Sequence, residues 1–150
     1  MVVAPDLGAV KLAEQYAAVL HGPVAIVRKQ RESGARVSAL DIAGEVHGRP
    51  SVIVDDMITT GATIEAATGL LRRRGAAPDI VVAATHGLLV HAATSRLRDL
   101  GLRHILVTDT VAPSDAGAAI RVCSFAPTLA EAIACLHSDE PLRGPHTHAR

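Results

Sequence analysis

Short apolar runs alternate along this chain with longer stretches of helical period. Val2-Val3-Ala4, Val24 to Val27, Val52-Ile53-Val54, Ile80 to Ala84 and Ile105-Leu106-Val107 are too short for buried helices and read as strands covered on both faces. Between them, Val10, Leu12, Ala13, Tyr16, Ala17 and Leu20 recur at helical spacing, and so do Ile64, Ala67, Leu70 and Leu71. Asp6 is a candidate N-cap for the first helix, and His21-Gly22-Pro23 ends it. Ala92 to Leu100 predicts another helix. Thr128 opens a last one through Leu136, with Glu131 completing a capping box. Strands alternating with helices of this length imply βαβ units, hence an α/β fold with a mostly parallel sheet flanked by helices.

Some segments break the alternation. Arg28 to Arg36 is polar and basic, lacks an apolar period and reads as a mobile loop. Val37 to Ile42 and Glu45-Val46 read as a hairpin broken at Gly44, and His47-Gly48-Arg49-Pro50 as a turn. Thr85-His86-Gly87 and Pro113 to Gly117 read as loops, Ile120 to Phe125 as an edge strand, and Ser138 to Arg150 as a disordered tail. The expected organisation is one domain over 1–137 followed by that tail. The abrupt start, almost inside a strand, suggests that another segment normally precedes it.

With 150 residues, 49% of them hydrophobic, the chain can bury a real core. Tyr16 and Phe125 are its only aromatic residues besides histidine, so that core must be Val, Ile, Leu and Ala. A formal net charge of zero argues against coating nucleic acid, and no aromatic platform exists for stacking bases. Cys123 and Cys135 form no CxxC pair and read as core thiols of a reducing compartment. No signal peptide and no membrane-spanning apolar run is evident, which points to the cytoplasm.

The richest chemistry lies in Ser51 to Thr63, S-V-I-V-D-D-M-I-T-T-G-A-T. Asp55 and Asp56 fall where the apolar run is expected to end. Thr59, Thr60, Gly61, Ala62 and Thr63 then lead into a helix. Small residues and hydroxyls before a helix leave backbone N–H groups free, and with the helix dipole they make an anion site sized for a phosphate. Adjacent acids would repel that phosphate unless they face hydroxyls or a divalent cation, so Asp55 and Asp56 suggest a ribose diol or Mg²⁺. An ordinary threonine-capped turn is the alternative, and it leaves the paired acids unexplained.

Ligands of parallel sheets bind beyond the carboxyl ends of the strands. That rule gathers Pro5-Asp6, Lys29 to Arg31, Asp55-Asp56, Thr85-His86 and Thr108-Asp109 on one rim. Asp6 could contact a metal or diphosphate, or simply cap its helix. Lys29 and Arg31 could close over a transferring phosphoryl group, or form a solvated basic loop. His86 is either a ligand or a hydrogen-bonded loop residue. Arg72-Arg73-Arg74 complements the dipole at a helix end. His91 and His104 read as structural, and His146 and His148 belong to the tail.

The motif around Asp55 resembles the ribose-phosphate loop of the type I phosphoribosyltransferase fold. With V-V-A-P-D-L-G, V-A-I-V-R-K-Q-R-E-S-G, L-D-I-A-G-E-V-H-G-R-P, A-A-T-H-G-L-L and V-T-D-T-V in the same order, the chain to about His137 resembles the carboxyl-terminal half of the ribose-phosphate diphosphokinase (PRPP synthetase) family. Those enzymes move the β,γ-diphosphate of ATP onto ribose 5-phosphate with Mg²⁺. The resemblance implies that Thr60 to Thr63 hold the 5-phosphate, that Asp55 and Asp56 hold the ribose, and that Asp6 lies near Mg²⁺. It further implies that Lys29 and Arg31 stabilise the transferring group. Family members usually carry Asp at the position of Thr59 and Gly at that of Ala62; the first difference weakens a purine-transferase reading. Their amino-terminal half, which supplies most of the ATP site and much of the oligomer contact, has no counterpart here. The implied partners are ribose 5-phosphate or PRPP, ATP, and a homo-oligomer or an amino-terminal-half partner. A stand-alone phosphoribosyltransferase and a non-catalytic PRPP sensor are the alternatives.

Overall fold

The computed structural model describes residues 1–30, 39–112 and 120–142. Among these described residues, seven strands and four helices follow in the order β1 (Val2–Ala4), α1 (Val10–Leu20), β2 (Val24–Gln30), β3 (Ala39–Ala43), β4 (Ser51–Ile58), α2 (Ala62–Arg73), β5 (Ile80–Gly87), α3 (Ala93–Asp99), β6 (His104–Thr108), β7 (Ile120–Cys123) and α4 (Ala126–His137). They form one sheet in the order β3-β2-β1-β4-β5-β6-β7, in which only β2 and β3 pair antiparallel. The α/β fold with a mostly parallel, helix-flanked sheet is as the alternation requires.

Each face of the sheet carries its own core. On one side Val2, Ala4 and Val54 meet Ala9, Ala13 and Ala17 of the α1 segment, small side chains that let the helix approach closely. On the other, Val3, Ile53, Val82 and Ile105 pack with Ile64, Ala67, Leu70 and Leu71 of α2 and with Leu97 of α3. Neighbouring residues of β1 and β4 thus serve opposite layers, as the pleat dictates.

Several boundaries differ from the sequence expectation. Arg28, Lys29 and Gln30 belong to β2, which pairs with β3, so the hairpin joins those two strands rather than 37–42 with 45–46. An edge hairpin tolerates such polarity because its charges pair across strands: Arg28 lies opposite Asp41, 3.5 Å away. The remainder of the expected mobile loop, including Arg31, and the expected loop at Pro113 lie outside the described residues. Gly44, at φ +119°, lets the chain leave β3, where a Cβ would come within 3.0 Å of Ala25. β5 runs on through Thr85-His86-Gly87.

α4 begins at Ala126, not at Thr128; the residue before it, Phe125, has no capping side chain. Its start is held instead by Asp109 at the end of β6, which accepts from Phe125 N–H at 2.7 Å and from Ser124 Oγ at 2.7 Å. Leu129, Ile133 and Leu136 of α4 are exposed. Among the described residues no helix is long and apolar enough to cross a membrane.

Candidate functional site

β4 does not end at its acids. Asp55 and Asp56 lie inside the strand, with Asp55 opposite Ala84, and pairing with β5 continues to Ile58 opposite Gly87. The loop beyond is only Thr59, Thr60 and Gly61, and Ala62 and Thr63 already belong to the first turn of α2.

The orientation of that loop follows from where its carbonyls go. Ile58 C=O accepts from Leu89 N–H and Thr59 C=O from Val90 N–H, both at 3.0 Å. Thr60 C=O accepts from Arg96 Nη1, and Gly61 C=O from Glu65 N–H at 2.9 Å. A trans peptide is planar, so each carbonyl held this way turns the following N–H to the opposite side. The N–H groups of Thr60, Gly61, Thr63 and Ile64 meet no acceptor among the described residues, and that of Ala62 reaches only Thr60 Oγ1 at 3.4 Å. This is a row of backbone donors at the N-terminus of a twelve-residue helix. Gly61 makes the turn possible at φ +76°, over Leu97, whose side chain would lie 3.3 Å from an added Cβ.

The acids form a second feature beside it. Asp55 is half-buried, and its Oδ1 accepts from Asp56 N–H at 2.9 Å. Burial pushes its carboxyl up to about 6, helped by its hydrogen bond with the Asp56 carboxyl and by the charges of Asp6 and Asp56, and opposed by the Asp56 N–H. Asp6 is therefore close enough to be felt electrostatically. It also orders its own turn, accepting from Gly8 N–H at 2.8 Å and Ala9 N–H at 3.1 Å. It is not the N-cap of α1; Ala9 holds that position. Among the described residues no group of three His, Cys, Asp or Glu is close enough to hold a metal unaided. An all-carboxylate donor set of this kind is suited to a hard divalent cation, which it could hold only with oxygen ligands from elsewhere completing the shell.

Other rim residues have structural partners. His86 Nδ1 is hydrogen-bonded to Thr110 Oγ1 at 2.8 Å, and Thr108 Oγ1 donates to Thr85 C=O at 2.7 Å. Hydrogen bonds from Phe125 N–H and Ser124 hold the Asp109 carboxyl below the usual carboxylate range. Arg72 donates to the Leu100 and Gly101 carbonyls behind α3, and Arg74 pairs with Asp41 at 2.7 Å. Lys29 stands in β2 opposite Leu40, and Arg31 falls outside the described residues. A cavity of about 620 Å³ bounded by Ile42, Val46, His47, Arg49 and Arg74 lies at the other end of β4 and takes in none of the expected site residues.

The sequence reading passed over Arg96 and Leu97, which support the loop from α3. Nothing local marks them, because S-R-L-R reads as the surface of an ordinary helix.

The chain matches the phosphoribosyl synthetase-associated domain over residues 34–143. It is 38% identical over 149 residues to the ribose-phosphate pyrophosphokinase of Mycobacterium leprae, covering 96% of this chain and 45% of that protein. The phosphoribosylpyrophosphate synthetase structure from Mycobacterium smegmatis superposes with a TM-score of 0.82 at 38% identity, over 92% of this chain and 45% of that one. The APRTase of Giardia lamblia shares the fold at 17% identity, with a TM-score of 0.55 over 71% of this chain and 66% of that one. The sheet is thus of the type I phosphoribosyltransferase kind, and the chain spans a little under half the length of the pyrophosphokinase relatives it matches. By sequence and by fold, this chain belongs to the phosphoribosyl synthetase-associated domain family.

Proposed function

We propose that this domain binds ribose 5-phosphate or PRPP and, together with the remaining length that its relatives carry, takes part in diphosphoryl transfer from ATP. The carrying observation is the loop from Ile58 to Gly61, whose four carbonyls are all engaged, leaving backbone N–H groups free beside two carboxylates. In this reading Thr60, Gly61, Ala62 and Thr63, flanked by Thr59, receive the 5-phosphate through N–H groups and hydroxyls. Asp55 and Asp56 receive the ribose hydroxyls. Asp55, Asp56 and the nearby Asp6 would hold Mg²⁺, which supplies charge neutralisation for the diphosphate when bound. Lys29 and Arg31 would neutralise charge on the transferring group. The family assignment supports a metabolic role, which in this reading is exercised in the cytoplasm, in an oligomer or beside an ATP-binding half.

Calorimetric titration with ribose 5-phosphate and with PRPP, each with and without Mg²⁺, tests the reading. Saturable binding that weakens in Asp55→Asn/Asp56→Asn is the expected result. Heat-silent titrations with both ligands, in a chain shown to be folded, would overturn it.

A further inference from the structure

We propose that Arg96 is a positioning residue of the phosphate loop, fixing the Thr60–Gly61 peptide and at the same time neutralising Glu65 beneath the bound phosphate. The inference rests on the phosphate-binding reading for its ligand but not for its geometry.

One guanidinium serves both tasks. Its Nη1 donates to the Thr60 carbonyl, and its Nε lies 3.0 Å from Glu65 Oε2. Of the four loop carbonyls, Thr60's is the only one held by a side chain; the other three are held by backbone N–H groups. Substitution can therefore remove this support without breaking a backbone bond. Because the peptide is planar, holding the Thr60 carbonyl toward α3 holds the Gly61 N–H toward the site. Gly61 is the residue in the left-handed conformation, where an unsupported peptide has most freedom to flip.

Glu65 supplies the second half. It is an acid in the first turn of α2, favourable for the helix dipole while the site is empty and repulsive once a phosphate dianion sits on the same helix end. Its ion pair with Arg96 offsets that repulsion. The pair is partly exposed, with side chains 34% and 52% accessible, so its worth to overall stability is small and its effect is local. A guanidinium suits this double contact; a lysine ammonium, a single point charge, would serve one partner at a time.

The experiment compares wild type, Arg96→Ala, Arg96→Lys, Glu65→Gln and Arg96→Ala/Glu65→Gln. Amide relaxation and hydrogen exchange at Thr60 to Thr63 are measured in the free protein, followed by titration with ribose 5-phosphate. Arg96→Ala should loosen the loop amides selectively while the amides of β4 and β5 keep their protection. It should weaken the ligand about tenfold or more, the scale of one charge-assisted hydrogen bond. Arg96→Lys should restore part of that loss. Glu65→Gln should recover about threefold on the Arg96→Ala background and change little alone, the non-additivity expected of coupled residues. Loop amides unmoved in both Arg96 variants would overturn the positioning role whether or not any ligand binds. A loosened loop in a chain whose wild type ignores ribose 5-phosphate would uphold the positioning role and overturn the ligand assignment instead. Additive effects of Arg96→Ala and Glu65→Gln would overturn the neutralising role.

Discussion

Asp55 should stabilise the liganded protein and destabilise the free one, and the two effects separate by pH. In the folded chain its carboxyl is pushed up to about 6 from an ordinary 3.8, chiefly by burial, with Asp6 and Asp56 adding charge repulsion. Between those values the folded state holds a proton that the unfolded state has released. The contribution of Asp55 to stability therefore falls as pH rises from about 4 to about 6, and its penalty is constant above that. At 1.36 kcal/mol per pH unit the full displacement would amount to about 3 kcal/mol. Because the group is only half-buried, solvent screening reduces this to about 1–2 kcal/mol.

Asp55→Asn removes the charge and keeps an oxygen that can accept from Asp56 N–H. At pH 8 the variant should be more stable than wild type by about 1–2 kcal/mol, a rise in Tm of about 3–6 °C for a chain of this size. Near pH 4 the two should melt together. Thermal and urea melts across this range measure the difference directly, and taking that difference cancels groups such as Asp41 and Asp109, whose carboxyls are held low in both proteins. Adding Mg²⁺ and ribose 5-phosphate should reverse the order, since a ligand at a hundred times its Kd adds about 2.7 kcal/mol only to the protein that binds it. Identical melts at every pH would refute the assignment of strain to Asp55. A variant less stable at pH 8 without ligand would show that the carboxylate is structural.

Three further outcomes follow from the same geometry. Gly61→Ala should lose about 1–2 kcal/mol from its left-handed backbone alone, with further cost from the 3.3 Å approach to Leu97, and calorimetry should show ribose 5-phosphate binding lost with it. Thr68 is fully buried in α2, and its hydroxyl has no hydrogen-bond partner among the described residues, so the near-isosteric Thr68→Val should gain about 1 kcal/mol in urea melts; a loss would mean that the hydroxyl is satisfied. Asp109→Ala should speed hydrogen exchange at the start of α4 and leave β4 and β5 protected. In wild type the same loosening should appear as pH falls through the lowered carboxyl titration of Asp109, because the hydrogen bonds favour its charged form.

What the sequence made legible was whatever is encoded by near neighbours. The β-α alternation, the two-layer core and the strand-to-helix turn at Thr60 to Thr63 all depend on local period and local turn chemistry, and they stand where the pattern put them. The misplaced boundaries have a common cause, since in each a distant group does what a neighbour was expected to do. Asp55 and Asp56 read as the end of a strand because paired acids rarely sit inside one. β4 nevertheless continues, because β5 supplies partners as far as Gly87. Thr128 and Glu131 spell a capping box, yet α4 starts earlier, because Asp109, distant in sequence, holds the Phe125 N–H just before the helix, where no local motif records it. Arg28 to Gln30 reads as loop until Ala39 to Ala43 lies beside it and Asp41 meets Arg28. Arg96 belongs to the same class: its worth lies in the Thr60 carbonyl and the Glu65 carboxylate, neither of which its own helix reveals. The residues that form the run of free backbone donors were legible because small residues and hydroxyls before a helix mark it locally. Those that hold the run in place were not, because a carbonyl can be satisfied by any side chain the fold brings to it.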